Sequence, residues 1–427
     1  MRSRGLTDPL SRRPFRRLLA TYTINEMGDW MAIIALSVLV YERTGSALAT
    51  SALFLGTRFL PALLAPILVT RSERSPPRFV LPVVYCGEAA AFGGLALLAG
   101  SFSLPLVIVC ATVDGALALT GRSLTRAVVV ALLEPAGELR AGNALLNVAF
   151  TAGAALGPGL AGLIVAGAGV QVALLLNAAS FYLVALILFT AGALPQAEPE
   201  PGRVRERVRA GIAYLREQAT LRRLLIAQGA AFVFFAAVIP IEVVYAKESL
   251  GTTDSGYGLM LASWGVGMVF GSLIFAAVRK TSLPTLLLFS TIAVGAGYLG
   301  TAAAPTLAVA CAASIVGGTG NGVQWVSVVS AVQELTEAGM QARVASVLES
   351  TGAAMPGIGI AIGGVIATLA DPRTVFLFAG LGILAIVAVA AFAIGSQWGV
   401  REEETGQVTV AAEEEPMVEL IPAGERS

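Results

Sequence analysis

Ionisable side chains inside long apolar stretches are the residues of this chain best placed to do chemistry. The chain carries six acids and three bases of this kind. The acids are Glu26, Asp29, Glu88, Asp114, Glu242 and Glu349, and the bases are Arg58, Arg122 and Arg126. A charge in hydrocarbon surroundings is costly, so each of these residues is a candidate functional group. Because three bases neutralise at most three acids, the other carboxyl groups require a proton, water or a bound cation.

This surplus of acids predicts proton chemistry. Burial disfavours the charged form of a carboxyl group, so a buried acid binds a proton more readily than an exposed one. Such a group can take a proton on one side of a membrane and release it on the other, and an acid-lined cavity attracts cations. We expect these roles above all at Asp29 and Glu349.

Structural roles remain open for several of these residues. Asp29 could pair with Arg58 and join the first two apolar segments, and Glu242 could face the outer water. Arg126 stands near the end of its segment and could reach the aqueous interface through its long side chain.

The composition argues against several other classes of protein. The chain has no histidine, and its three cysteines show neither a disulfide framework nor metal-ligand spacing. A phosphate-binding GxxxxGK[ST] loop is absent from the sequence, and the formal net charge of zero gives no basic field for nucleic acid. We therefore predict no enzymatic activity, no cofactor, no metal site and no nucleic-acid partner.

The elements that carry these residues are predicted to be membrane-spanning helices. The chain of 427 residues is 56% hydrophobic and only 13% charged, with a mean hydropathy of +0.79. A helix needs about 20 apolar residues to cross a bilayer. This predicts an all-α polytopic membrane protein with the lipid bilayer as its surroundings. Its twelve predicted spans are 18–41, 46–69, 79–99, 104–132, 142–167, 170–193, 222–246, 256–278, 283–303, 306–332, 342–369 and 373–395.

Charge sets the expected orientation, because cytoplasmic loops of membrane proteins are rich in Lys and Arg. If the N-terminus is cytoplasmic, 22 of the 28 basic residues fall inside and three fall outside. This predicts two cytoplasmic termini. The richness in Ala and Gly and the scarcity of Lys favour a bacterial inner membrane.

The segment 194–221 divides the spans into two groups of six. It begins with a Pro/Glu run and continues as a basic amphipathic helix, which predicts a cytoplasmic linker at the membrane interface. The predicted domains are a cytoplasmic N-terminal segment 1–17, a first bundle 18–193, this linker, a second bundle 222–395 and a disordered acidic tail 396–427.

The two groups of spans are related by an offset of 202 positions, which aligns Gly157 with Gly359 and Gly162 with Gly364. The same offset aligns Asn147 with Glu349, so we expect these two residues to face each other across a central cavity. The fifth span also carries Gly153 and Pro158, and the glycines line one helix face where a neighbour can approach closely. Taken alone, this pattern is better explained by ordinary helix packing.

Aromatic and amide side chains could line such a cavity, although helix or lipid packing explains any single aromatic residue better. Gln228, Asn321 and Gln324 could supply hydrogen bonds near the middle of the membrane. The aromatic candidates are Trp30, Phe54, Phe59, Phe150, Phe232, Phe235, Trp264 and Trp325.

The GxxxGPxxxG pattern of residues 153–162, together with the runs 25–30, 44–47 and 58–61, resembles exporters of the major facilitator superfamily. The order and spacing of these runs are similar to the drug-efflux branch that includes macrolide and siderophore exporters. The resemblance implies twelve helices in two six-helix bundles that alternately open to each side. It also implies a monomeric antiporter that exchanges a small amphipathic or cationic molecule for protons or Na⁺.

The loop between the second and third spans departs from the pattern of that family. Pro66 stands where the family usually has Gly, and Thr70 stands where it usually has an Asp. Arg71 and Arg74 remain, and Glu73 could replace the missing carboxylate in gating. A basic loop that only sets topology explains these residues equally well.

This departure keeps two other functions open. One is a transport-inactive or lipid-handling protein of the same fold, and the other is an importer.

Overall fold

The structure is a computed structural model that describes residues 7–72, 75–190, 194–195, 204–278 and 281–389. Eleven of its helices are long and apolar enough to cross a membrane. A twelfth long helix, Leu307–Glu334, packs between two of these helices and has a polar, Gly-rich middle. The all-helical fold class predicted from the sequence is confirmed. Glu73, Arg74 and the predicted tail 396–427 lie outside the described residues.

The first bundle contains six helices, and its second helix is continuous but changes its winding. In that helix, α2, the first α-helical segment is followed by one turn of π-helix and then by a second α-helical segment. The bounds are α1 Arg13–Thr44, α2 Ala47–Phe54 with Leu55–Phe59 and Leu60–Ser72, α3 Pro77–Gly100, α4 Leu104–Leu133, α5 Leu139–Ala168 and α6 Val170–Phe189.

The second bundle follows a short amphipathic helix, α7, that falls within the predicted linker. Near the end of α8, one 3₁₀ turn at Ile239–Ile241 and one π turn at Tyr245–Ser249 interrupt the α-helix. The bounds are α7 Val204–Glu217, α8 Ala219–Ser249, α9 Asp254–Ala277, α10 Leu283–Ala303, α11 Leu307–Glu334, α12 Gln341–Leu369 and α13 Pro372–Val389.

Local sequence signals explain the tight connection between α1 and α2. Gly45 has a φ of 58°, a left-handed conformation that ends α1 because glycine adopts it without steric cost. Ser46 then caps α2 by accepting a hydrogen bond from the Ala49 amide at 3.2 Å. This two-residue connection makes α1 and α2 antiparallel neighbours.

Two helices, α5 and α12, occupy equivalent places in the two bundles. A methyl group added at Gly157 would lie 2.6 Å from Cβ of Trp30 on α1, and one added at Gly359 would meet the carbonyl of Val233 on α8. These contacts correspond under the 202-residue offset to within one residue. The offset in the sequence therefore reflects an equivalence in packing.

The same helices also join the bundles to each other. A methyl group at Gly162 of α5 would lie 2.7 Å from the carbonyl of Asp254 at the start of α9. A methyl group at Gly364 of α12 would lie 2.7 Å from Cβ of Ser51 on α2. These contacts also correspond under the 202-residue offset to within one residue, so α5–α9 and α2–α12 are two equivalent interfaces between the bundles.

The closest approaches between the bundles lie in one half of the molecule. We call the end where α1 begins the proximal end and the opposite end the distal end. At the distal end, the Tyr41 hydroxyl donates to Glu248 at 2.5 Å, and Lys247 lies 3.5 Å from Glu42 and 2.5 Å from Asp254. The bundles therefore meet distally, and we infer that the space between them opens toward the proximal end.

The amphipathic helix α7 packs against the proximal part of α12. A methyl group at Gly211 would lie 2.7 Å from a methyl of Val347, and the Tyr214 hydroxyl accepts a hydrogen bond from the Glu337 amide at 3.4 Å. Leu215 is buried in the same contact. The linker helix thus belongs structurally to the second bundle.

Candidate functional site

Two acids of α1 share one arginine of α4 in the interior of the first bundle. Arg122 Nη2 lies 2.5 Å from Asp29 Oδ2 and 3.8 Å from Glu26 Oε1. Asn25 donates a second hydrogen bond to the same Asp29 oxygen at 3.2 Å. Glu26 is 2% exposed, and its Oε1 has no hydrogen-bond partner among the described residues. One guanidinium therefore serves two carboxyl groups, and only one of them is fully paired.

The close approach of α5 helps to hold this cluster in place. A methyl group at Gly153 would lie 3.2 Å from Cβ of Glu26, and a methyl at Gly157 would press on Trp30 one turn further along α1. These two glycines let α5 cover the acidic face of α1, which keeps Glu26 away from lipid.

Arg58 is not the partner of Asp29, so the pairing of Asp29 with Arg58 considered from the sequence is wrong. Asp29 pairs with Arg122 instead, because that guanidinium reaches it directly from α4. Arg58 lies on the π turn of α2 and is exposed to the space between the bundles. There it is close enough to Asp29 and Glu242 to interact electrostatically with both. A π turn inside a long helix is frequently found at functional sites.

A second pair of acids lies deeper in the first bundle. Glu88 of α3 is 0% exposed, and neither of its carboxyl oxygens has a hydrogen-bond partner among the described residues. Asp114 of α4 interacts electrostatically with Glu88, and its Oδ1 is also buried without a partner. Glu88 reaches this place because Gly121 leaves space for it, with Oε1 3.5 Å from the position of a Cβ there.

Glu242 belongs to the second bundle and has aromatic neighbours. It lies on α8 after the 3₁₀ turn and is partly exposed. Electrostatic interactions connect it with Arg58 of the opposite bundle and with Tyr257 and Tyr298 of its own. Its position is therefore at the space between the bundles, not only at the outer water.

The aromatic neighbours of Glu242 form one cluster. Trp264 and Tyr298 are stacked with ring centroids 5.2 Å apart, and Phe235 meets the Trp264 ring edge-on at 5.9 Å. Phe376 lies behind them, 6.2 Å from Tyr298 and 4.6 Å from Tyr245. The sequence suggested Phe235 and Trp264 as cavity residues but missed the two tyrosines and Phe376, because an aromatic residue in an apolar span gives no signal of its direction.

The predicted packing motif of α5 lies at the interface with the second bundle. Pro158 has no amide hydrogen, so the carbonyl of Ala154 lacks its helical partner. This carbonyl faces Gly265 of α9, and the carbonyl of Pro158 faces Gly258. Gly162 lies beside Gly258, where an added Cβ would be 2.9 Å from the Gly162 Cα. Residues of the motif thus allow backbone-to-backbone contact.

Arg126 interacts electrostatically with Glu26 of the charged cluster, whereas Gln324, Asn147, Glu349 and Arg71 form no hydrogen bond or ion pair with that cluster among the described residues. Gln324 donates a hydrogen bond to Thr291 of α10 at 3.0 Å and so joins two helices of one bundle. Asn147, Glu349 and Arg71 are exposed. The proposed facing of Asn147 and Glu349 across a cavity stays a prediction. Within the described residues, no cluster of three or more potential metal ligands is present.

In the described part of the chain, twelve long helices form two equivalent bundles with charged groups in and between them, an arrangement typical of membrane transport proteins. A family model described as transmembrane secretion effector matches residues 5–394. The chain belongs to this family of the major facilitator superfamily. Comparison with the sequences of curated proteins gives no match.

Solved structures of transporters share the fold at low sequence identity. The nucleoside transporter NupG has a TM-score of 0.73 at 12% identity, over 89% of this chain and 98% of that chain. The peptide-family (POT) transporter PepTSo has a TM-score of 0.70 at 10% identity, over 90% and 99% of the two chains. A bacterial homologue of the iron transporter ferroportin, in an inward-facing state, has a TM-score of 0.68 at 17% identity, over 90% and 98%. These similarities show the fold alone.

Proposed function

We propose that this protein is a secondary transporter that exports a small amphipathic or cationic molecule in exchange for protons. The observation that carries the proposal is the sharing of Arg122 between Glu26 and Asp29. Two carboxyl groups with one arginine leave a binding place for one additional positive charge. A proton and a cationic substrate can each take that place, but not both at once, and this competition is the basis of antiport.

The geometry supports Glu26 as the proton carrier of this pair. Its Oε1 is buried without a hydrogen-bond partner and lies 3.8 Å from the arginine, whereas Asp29 is held at 2.5 Å. A buried carboxylate that shares its counter-ion with another acid is costly in a low-dielectric interior, so Glu26 gains more than Asp29 from binding a proton. Glu88 and Asp114 add two further carboxyl groups that face the same cost.

Alternating access in this protein would be a rocking of the two bundles about their interfaces. We assign the proximal end to the cytoplasm, because it carries the arginine-rich loops and both termini. The conformation described here then opens to the cytoplasm and is closed to the outside of a bacterial inner membrane. In this state a cytoplasmic substrate reaches Asp29 and Glu242. We expect a monomer to carry out the whole cycle, since each chain contains both bundles.

Transport in proteoliposomes tests this function. With rhodamine 6G as the probe and the proximal end facing outward, an acidic interior should drive dye accumulation by the wild-type protein. A gradient of one pH unit is worth about 1.4 kcal/mol per proton, or about tenfold accumulation. Glu26→Gln should abolish this accumulation, because the amide neither binds nor releases a proton.

A second measurement separates coupling from binding. Exchange of labelled for unlabelled dye without a gradient should persist in Glu26→Gln, since Glu242, the other acid that a cytoplasmic substrate reaches, is intact. Glu134→Gln, which changes an exposed acid near the proximal end of α4, should behave as wild type in both assays. Gradient-driven accumulation by Glu26→Gln at the wild-type level would refute the assignment. Absence of any flux in the wild type would favour a transport-inactive protein, and accumulation under the opposite gradient would favour an importer.

A further inference from the structure

We infer that Glu242 and the aromatic side chains Phe235 and Trp264 form a binding subsite for an aromatic cation, and that Arg58 is the internal counter-ion which this cation displaces. The inference deepens the proposed function by naming the class of molecule and the residues that recognise it.

The first step is the unpaired state of Glu242. Among the described residues, this carboxyl group forms no direct hydrogen bond or ion pair, yet it is partly exposed to the space between the bundles. A carboxylate in the middle of a membrane protein is normally paired, because an isolated charge there is costly. An accessible acid without a partner is therefore a place where a ligand cation gains a strong contact without breaking a protein contact.

The second step is the aromatic surface beside this acid. Glu242 interacts electrostatically with Tyr298, whose ring centroid lies 6.3 Å from that of Phe235. Trp264 approaches Phe235 at 5.9 Å and stacks on Tyr298, which is only 3% exposed and supports the indole from behind. The faces and edges of Phe235 and Trp264 remain half-buried, so part of each ring is accessible. Aromatic rings attract both a cation and a flat apolar body.

The third step is the position of Arg58. It is exposed on the π turn of α2 in the opposite bundle and interacts electrostatically with Glu242 without forming a direct ion pair. Since no direct ion pair joins the two side chains, a ligand cation that binds Glu242 breaks none. Such a cation replaces Arg58 as the counter-charge of Glu242. It also releases Arg58 to interact more fully with Asp29, which connects substrate binding to the cluster on α1.

The same charges exclude a simple anion as the favoured ligand. Arg58 would attract an anion, but Glu242 and Asp29 stand on either side of it and repel the same molecule. Because Arg122 already pairs with Asp29, the preference for a cation rests on Glu242, which has no direct partner among the described residues, and on the aromatic wall beside it. The sign of the effect of removing Arg58 therefore identifies the charge of the ligand.

Equilibrium binding to the purified protein without any gradient tests the subsite. The probes are tetraphenylphosphonium and tetraphenylborate, which have the same shape and opposite charge. We expect the wild type to bind the cation at least about tenfold more tightly than the anion. Glu242→Gln should weaken cation binding by about tenfold or more, since one charge interaction in a partly buried site is lost.

The decisive variant is Arg58→Gln. Removing the internal counter-ion should tighten cation binding severalfold, and a gain of affinity cannot result from misfolding. Trp264→Leu should weaken cation binding severalfold. Two matched controls should bind as wild type: Glu334→Gln, an exposed acid of the same bundle, and Phe378→Leu, an aromatic residue that packs on Phe234 away from Glu242.

Three results would overturn the inference. These are unchanged cation affinity in Glu242→Gln, weaker cation binding in Arg58→Gln, or preferential binding of tetraphenylborate by the wild type. Because the assay uses no proton gradient, failure of proton-coupled transport at Glu26 leaves this test intact. Conversely, loss of the subsite would leave proton coupling open.

Discussion

The two interfaces between the bundles are equivalent in position but differ in construction. At α5–α9, glycines stand on both helices, and Gly258 and Gly265 of α9 face main-chain carbonyls of α5. At α2–α12, glycines stand on α12 alone, and Gly357 and Gly364 face side chains of α2. One interface is therefore a contact of backbone with backbone, and the other is a contact of backbone with side chains.

The difference in construction predicts a difference in rigidity. A main-chain carbonyl in a helix cannot move away from an approaching group, whereas a side chain such as Ser51 can change its rotamer. The carbonyl of Ala154, freed by Pro158, faces the Cα of Gly265 and can accept a weak C–H hydrogen bond there. We expect α5–α9 to be the more rigid of the two interfaces that hold the distal-closed state.

The α2–α12 interface, where glycines meet side chains, includes Arg58, a charged residue of the candidate site. The π turn Leu55–Phe59 lies where α2 meets α12, and the ring of Phe59 fills the space in front of Gly357. The extra residue of the π turn changes the direction of the following side chains, and it places Arg58 toward Glu242. The α2–α12 interface thus combines packing with the proposed ligand recognition, and the α5–α9 interface serves packing alone.

The strongest test of this comparison is Gly265→Ala. The added methyl would collide with the carbonyl of Ala154, which cannot shift, so the distal-closed state should lose about 1–3 kcal/mol. A cost of this size raises the ratio of distal-open to distal-closed molecules by roughly 5- to 150-fold. The expected result is a longer distance between the distal ends of the two bundles.

Spin labels can measure this opening. Labels at Ser101→Cys and Pro305→Cys would lie at the distal ends of the first and second bundles, in a background without the native cysteines. Gly93→Ala, where an added methyl meets nothing within 4 Å, should leave the distance distribution unchanged. A wild-type distribution in Gly265→Ala would show that α5–α9 is not the rigid interface.

The sequence predicted most of the fold but less of the site. Apolar length and the 202-residue offset predict helices and equivalent halves, because both depend on residue type along the chain. The partner of Asp29 depends on how α1 and α4 are rotated about their axes, which hydropathy does not encode. For this reason the sequence suggested Arg58 as a possible partner and did not indicate Arg122, although both arginines were identified as candidates. Tyr298 and Phe376, which belong to one cluster with Phe235 and Trp264, were missed for the same reason.

A smaller effect is expected from Gly364→Ala at the second interface. The added methyl meets the side chain of Ser51, with Cβ at 2.7 Å, so a small change of rotamer and helix position can relieve part of the clash. We expect a cost of about 1 kcal/mol and a correspondingly small increase in distal opening. The measurement is the same distance distribution as for Gly265→Ala.

The double variant Gly364→Ala with Ser51→Gly sharpens this prediction. Removing the side chain of Ser51 should restore the wild-type distribution, because the two positions are in contact and their effects are not additive. No equivalent rescue exists for Gly265→Ala, since the obstructing atom is a carbonyl oxygen. Equal effects of the two single variants, or a lack of rescue, would remove the distinction between the interfaces.

The smallest effect is expected at the distal end, where both interfaces finish. The hydrogen bond from the Tyr41 hydroxyl to Glu248 joins α1 to α8 at 2.5 Å, and Lys247 adds ion pairs to Glu42 and Asp254. Because Glu42 and Glu248 are accessible to solvent, each contact should contribute less than about 1 kcal/mol. Tyr41→Phe should therefore increase distal opening only slightly, and high salt should add to its effect by screening the ion pairs. A larger opening in Tyr41→Phe than in Gly265→Ala would mean that the distal contacts, and not the α5–α9 backbone contact, hold the bundles together.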